Sequence, residues 1–213
     1  MSDKRLPSTG PGRPKDQAKR LAILEAAKTL FMRNGYEGSS MDAIAAEAGV
    51  SKLTVYNHFT DKETLFSAAV KSKCEEQLPE LFFDLPDGAS LEKVLLNIGR
   101  GFVQLINSRE SIELLRVMVT LATTDPTLGQ LFFNAGPQRV LNELEGLLRK
   151  AASQGKLQID NPLNAAEHFL SLLKGGCHFR LLVGSCSAPS AEEEASHVAE
   201  VVQLFLRAYR TGP

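Results

Sequence analysis

Residues 39–66 read SSMDAIAAEAGVSKLTVYNHFTDKETLF, and their spacing predicts two short helices joined by a tight turn, then the start of a third. Ser39 and Asp42 have the spacing of a helix N-cap and its return partner. Ile44 and Ala48, four apart, give the first helix one buried edge. Gly49 follows at once, where a left-handed helix cap is least strained. Val50 fills the angle, and Ser51 caps a second helix from Lys52 to about His58. Two helices meeting at a Gly-containing turn of three or four residues form a helix-turn-helix. In that arrangement the second helix lies in the DNA major groove, its N-terminal residues at the base edges.

The outward face of the second helix has side chains suited to that contact. Lys52 reaches guanine or a phosphate, Leu53 touches a thymine methyl, and Thr54 donates, accepts or offers its methyl. Tyr56, His58 and Lys62 are placed for phosphate oxygens. Val55 and Phe59, four apart, point the other way and hold the helix on its scaffold. A polar surface helix in any all-helical protein has much the same pattern, so spacing alone leaves both readings open.

The spaced residues Ser39-Ser40, Ile44-Ala45, Ala48-Gly49-Val50-Ser51, Thr54, Tyr56, His58-Phe59 and Lys62-Glu63 resemble the DNA-binding signature of the TetR (TetR/AcrR) family of bacterial transcriptional regulators. The resemblance covers about residues 18–70. Leu53 stands where Gly or Pro is common, and Asn57 occupies a variable position; both lie on the reading helix, so the operator sequence does not carry over. The resemblance implies an all-α protein of about nine helices, with an N-terminal three-helix DNA-binding domain and a larger C-terminal helical ligand-binding and dimerisation domain. Expected bounds are a disordered basic arm at 1–15, the helix-turn-helix domain at 16–61, and the effector-binding and dimerisation domain at 62–213. The implied function is that of a sequence-specific DNA-binding regulator, a repressor released from its operator by a small, largely apolar ligand. DNA contacts are expected from Arg13, Ser40, Lys52, Leu53, Thr54, Tyr56, Asn57, His58 and Lys62.

Charge distribution agrees with DNA contact at one end. The whole chain carries a net charge of -1, but residues 1–62 hold 10 Lys/Arg and 7 Asp/Glu, whereas residues 63–213 hold 14 and 18. A mildly basic head on an acidic body is the pattern of a protein that meets nucleic acid through its head. Within the arm, Pro11-Gly12-Arg13-Pro14-Lys15 resembles the Gly-Arg-Pro core of an AT-hook, which places an extended Arg in a narrow minor groove. The alternative is a solvated basic tail that adds only phosphate attraction.

The opening residues have no apolar core of signal-peptide length, and no run of about 18 apolar residues predicts a membrane span. Cys74, Cys177 and Cys186 make an odd count at unhelpful spacings. These features point to a reduced, cytoplasmic protein with free thiols; association with the nucleoid is what the family resemblance implies. Cys177 beside His178 does not make a site, because sequence neighbours face different sides of a helix. No metal-ligand spacing, phosphate loop or nucleophile elbow is present, so neither an enzyme nor a cofactor is expected. A redox-responsive regulator acting through Cys74, Cys177 or Cys186 is the alternative to a ligand-responsive one.

Along the chain the periodicity is helical. Ile23, Ala26, Ala27, Leu30 and Phe31 share a face of a helix over about 16–33 that Asn34-Gly35 ends. Leu65, Phe66, Ala69 and Val70 stripe a helix that Thr60 or Asp61 caps and that runs to about Leu78, stopped by Pro79. Further helices are expected over about 91–107, 110–123 and 162–183, and over 191–210, where Ser190 and Glu193 form a capping box. Another starts at Asp125-Pro126, is kinked or split at Gly136-Pro137, and stops at Gln154-Gly155. The 110–123 helix, apolar nearly all round, is expected to be buried on several sides. Only 156–159 alternates as a strand does.

Phe82, Phe83, Phe102, Met118, Phe132 and Phe133 are candidates for a cavity wall, with Arg100, Arg116 and His168 as polar groups in it, since small-ligand sites are apolar cavities with a few polar side chains. An ordinary core with snorkelling arginines is the alternative. The stretch LATTDPTLGQLFFNAGP resembles the C-terminal domain of AefR-type members. The last two helices are candidates for self-association, through Phe169, Leu173, Gly176, Phe179, Val198, Val201, Val202 and Phe205, and the family resemblance implies a two-fold homodimer through a four-helix bundle of them; the alternative is that these helices close the protomer's own core.

Overall fold

A computed structural model describes residues 13–77, 83–86, 88–123 and 125–210. Among them are ten helices and no strand. The chain divides into two compact units, Met1–Ser72 and Lys73–Pro213.

The first unit contains α1 (Arg13–Asn34), α2 (Met41–Glu47), α3 (Lys52–His58) and most of α4 (Lys62–Gln77), within which the division falls. Helix α1 begins three residues ahead of the expected Asp16, so the end of the expected basic arm is helical. Pro14 tolerates this because N–H groups in the first turn have no intrahelical partner. The rest of that arm, residues 1–12, lies outside the described residues, as do the side chains of residues 13–15. Ile23, Ala27, Leu30 and Phe31 of α1 are buried with Ile44 of α2, Val55 and Phe59 around α3, and Leu65 and Phe66 of α4. Phe66 meets Phe31 edge-on at 5.0 Å and Tyr36 at 5.1 Å.

The cap of α2 corrects the expectation. Ser40, not Ser39, is the N-cap: its backbone is extended and its Oγ accepts from the Ala43 N–H at 3.1 Å. Ser39 is buried, and its hydroxyl donates toward the Gly35 and Leu30 carbonyls, at 2.8 and 3.1 Å. Two adjacent serines both satisfy a cap's sequence preference; burial of the first assigns the roles.

The second unit is formed by α5 (Leu91–Asn107), α6 (Arg109–Leu121), α7 (Pro126–Ala135), α8 (Pro137–Ser153), α9 (Pro162–Leu182) and α10 (Ala191–Tyr209). Gly136-Pro137 divides one expected helix into α7 and α8, which accounts for ten helices where about nine were expected. Proline cannot continue the backbone ladder, but its fixed φ suits the first turn of the next helix. The alternating residues 156–159 form no strand; the Gln158 N–H instead donates to the Tyr209 carbonyl at 2.8 Å. Helix α6 is also less enclosed than expected: Ile112, Leu114 and Met118 are buried, while Val119 is exposed.

One apolar core joins α5, α8, α9 and α10. That core takes in most of the residues expected at a dimer interface. Phe169, Leu173, Val198, Val201, Val202 and Phe205 are all buried in that core, with Phe205 against Phe169 at 5.0 Å and Tyr209 at 4.7 Å. An amphipathic stripe looks the same whether it faces its own core or a partner chain. Only Phe179 and Gly176 of the expected set are exposed.

Helix α9 is not continuous. Gly175 has φ 51° and ψ -165°, a conformation open mainly to glycine. The break leaves the Leu173 carbonyl without its helical donor, and the His197 Nε2 of α10 sits 3.0 Å from it. A Cβ at Gly175 would meet that ring at 3.2 Å. Gly175 thus marks a local break facing α10.

Candidate functional site

The first candidate site is the helix-turn-helix. Gly49 adopts φ 64° and closes α2 with a Schellman arrangement: the Val50 N–H reaches the Ala45 carbonyl at 3.0 Å, and the Gly49 N–H reaches Ala46 at 3.2 Å. Ser51 then caps α3, accepting from the Thr54 N–H at 3.1 Å. Val55 is fully buried and Phe59 nearly so, which anchors α3 by one face and turns the opposite face outward. On that outward face stand Lys52, Leu53, Tyr56 and Asn57, all exposed, with Leu53 at 70%.

Several expected DNA contacts have partners inside the protein. The Lys52 ammonium lies 2.9 Å from the Asp42 carboxylate, which raises its pKa. The Thr54 hydroxyl is 2.8 Å from that of Ser51. His58 is largely covered, its Nε2 3.2 Å from Asp16 of α1. The Lys62 ammonium sits over the Tyr36 ring at 4.1 Å, a cation–π contact. Ser40 is exposed but holds the cap of α2. Arg13 falls in the first turn of α1, with no described side chain.

The second candidate site is a cavity of about 190 Å³ among α5–α9. Phe102, Leu105 and Ile106 of α5, Leu114 and Leu115 of α6, Phe132 of α7, Val140 of α8 and Leu170 of α9 form its apolar wall. Ser111, Lys174 and His178 are its polar lining. Of the cavity residues expected from sequence, Phe102 and Phe132 are in the wall. Arg100 and His168 are exposed elsewhere; His168 lies 2.7 Å from the Tyr209 hydroxyl. Arg116 donates to the Leu181 and Leu182 carbonyls at 2.7 and 2.8 Å, closing the C-terminal end of α9. Met118 is buried outside the cavity lining, and Phe133 is 44% exposed. Phe83 packs against the core and Phe82 lies outside the described residues.

Lys174 and His178 were missed because they look like ordinary polar residues after an apolar run. The available signal was their i, i+4 spacing in line with Leu170. His178 Nδ1 is 3.2 Å from the Asn107 Oδ1. Burial, and behind it the positive charge of Lys174, lowers the His178 pKa, so this ring is neutral near pH 7.

A second concavity is lined by Cys177, Arg180, Cys186, Glu193, Glu194 and His197, among others. Both thiols there are free. The side chain of Cys74 is not among those described. Among the described residues no cluster of three or more His, Cys, Asp or Glu is placed to hold a metal ion, and no helix is long and apolar enough to cross a membrane.

Residues 23–69 match the family model of bacterial regulatory proteins of the tetR family, and residues 93–211 match that of the AefR-like transcriptional repressor C-terminal domain. The chain is similar to the HTH-type transcriptional repressor AcnR of Corynebacterium efficiens, at 25% identity over 88% of this chain and 92% of AcnR. Among solved structures, it is similar to a TetR-family transcriptional regulator from Mesorhizobium loti, with TM-score 0.81 and 29% identity over 92% of this chain and 99% of that one. It is also similar to the flavonoid-responsive regulator FrrA, with TM-score 0.83 and 29% identity over 92% of this chain and all of FrrA, whose covered share is 100%.

Proposed function

The chain belongs to the TetR family of bacterial regulatory proteins, DNA-binding transcriptional regulators rather than enzymes, and from that premise we propose that it is a dimeric, cytoplasmic repressor released from its operator by a small, largely apolar effector. The observation that carries the effector part is the α5–α9 cavity, whose wall is mostly apolar and whose polar groups are Ser111 of α6 and Lys174 and His178 of α9. A related fold belongs to a flavonoid-responsive regulator, which supports an effector of small organic size. The α3 face of Lys52, Leu53, Tyr56 and Asn57 reads base edges, and the division of labour runs from the DNA-binding first unit to the effector-binding and dimerising second unit. Release requires that the ligand prefer a conformation that binds DNA poorly, and α4, within which the chain passes from one unit to the other, is the natural route for that coupling. Dimerisation uses the exposed apolar side chains of the last two helices, Leu172, Phe179 and Leu204, together with Val183 just beyond α9.

The test is footprinting on DNA flanking the coding region, followed by anisotropy with the protected sequence. A near-palindrome with half-sites spaced by whole helical turns is expected. Leu115→Trp, which fills the cavity, should keep DNA affinity and lose release by extracts that release the wild type. If that variant responds normally, the effector binds elsewhere.

A second reading, redox control, starts from the place of Cys177 and Cys186 in the lining of one concavity. Against it, burial and the neighbouring Cys186 push the Cys177 thiol up, which lowers its thiolate fraction. Peroxide release of DNA from the wild type but not from the Cys177→Ser/Cys186→Ser variant would establish it.

A further inference from the structure

The apolar cavity has one charged side chain in its lining, Lys174; α5, α6, α7 and α8 contribute none. Among the described residues the Lys174 ammonium has no hydrogen-bond or ion-pair partner. His178 is four residues further along α9, so the two share a face. The Asn107 oxygen accepts from His178 Nδ1 at 3.2 Å, which in a neutral imidazole leaves Nε2 as a bare acceptor. The polar end of the cavity therefore combines an ammonium with a ring nitrogen that can accept, against a wall that includes Phe102 and Phe132.

That pairing selects among functional groups. An amine meets the repulsion of Lys174. A carboxylate satisfies Lys174 but sets its charge against the Nε2 lone pair. An ether or ester accepts from Lys174 but has no hydrogen to give Nε2. A hydroxyl acidic enough to share its proton satisfies both, its oxygen receiving the ammonium and its hydrogen pointing at Nε2. The aromatic wall suits a flat ring bearing that hydroxyl. We propose that this cavity binds an apolar phenol, its hydroxyl held between Lys174 and His178 and its ring packed against Phe102 and Phe132. The proposal rests on the cavity being the effector site.

The test uses the full chain and a 4-nitrophenol carrying a short alkyl group, whose phenolate absorbs visible light. No amino-acid side chain absorbs visible light, so the probe is read without interference. At a pH just below the probe's own ionisation, binding should increase phenolate absorbance as the shared proton shifts from the hydroxyl oxygen to His178 Nε2. The probe's methyl ether should compete at least tenfold more weakly, and an alkyl benzoate of the same size several-fold more weakly. Lys174→Met should weaken phenol binding about tenfold and remove the absorbance gain, while thermal unfolding stays unchanged because Lys174 is exposed. Phenol and ether binding equally, with release of DNA by both, would overturn the phenol assignment and leave the effector cavity standing. The benzoate binding most tightly, in a Lys174-dependent way, would overturn it in favour of a carboxylate. If none of the three probes binds and the Leu115→Trp variant still responds to the extracts, both the proposal and the cavity's role fail together.

Discussion

Phe179→Ala should dissociate the dimer without unfolding the protomer. The Phe179 ring is 65% exposed on α9, so it adds little to its own core. Of the about 200 Å² a phenylalanine presents, roughly 130 Å² remains for a partner to cover. At about 25 cal/mol per Å² that area corresponds to roughly 3 kcal/mol for each ring. A two-fold interface counts every substitution twice, giving an upper bound of about 6 kcal/mol. Alanine keeps the β-carbon and interface burial is incomplete, so a loss of about 2–4 kcal/mol per dimer is expected. That is a rise of roughly 30- to 1,000-fold in the dimer Kd. Sedimentation equilibrium over a concentration series measures it, with Tm followed in parallel. Phe205→Ala is the contrast: its ring is buried against Phe169 and Tyr209, so truncation should cost about 3–5 kcal/mol of folding stability. A Phe179→Ala dimer Kd within threefold of wild type would place the interface away from this face. A Tm drop as large as that of Phe205→Ala would show that the ring serves the protomer's own fold.

Three further outcomes follow from the contacts described. Asp42→Asn frees Lys52 from its carboxylate, so affinity for random DNA should rise and the salt slope steepen by about one unit per protomer, as measured by anisotropy at several ionic strengths. Ser39→Ala leaves buried carbonyls short of a donor and should cost about 1–3 kcal/mol, whereas Ser40→Ala loses an exposed cap and should cost about 1 kcal/mol; denaturant unfolding followed at the first unit ranks the two. For His178 the folded pKa is depressed, so the unfolded chain binds the proton more readily. Its stability contribution is complete above the unfolded value of about 6.5 and is lost as pH falls below it; His178→Gln should flatten the Tm profile between about pH 7 and 5.

Local chemistry was legible where it is decided within a few residues. Gly49 after an Ile44/Ala48 edge, Ser51 before Lys52, Asp125-Pro126 and the Ser190/Glu193 capping box all involve hydrogen bonds that close within one turn, so sequence spacing is nearly the structure itself. The choice between Ser39 and Ser40 was not legible, because the deciding quantity is burial beneath the end of α1. The cavity was half legible. Phe102 and Phe132 are apolar at helical spacing, but Lys174 and His178 acquire their role only when α9 lies beside α5 and α6.

By itself the sequence determined the all-helical class, the helix-turn-helix and the family, since these rest on periodicity, caps and spaced motifs that are local along the chain. Tertiary structure decided which apolar stripe faces inward. Phe169, Val198 and Phe205 share one core while Phe179 remains outside, although all four read alike along their helices. It also decided which polar groups are spent on internal partners, as Lys52 is on Asp42 and Arg116 on the end of α9. The physical reason is that burial and pairing are properties of what surrounds a side chain, and the atoms that surround these come from residues many turns away.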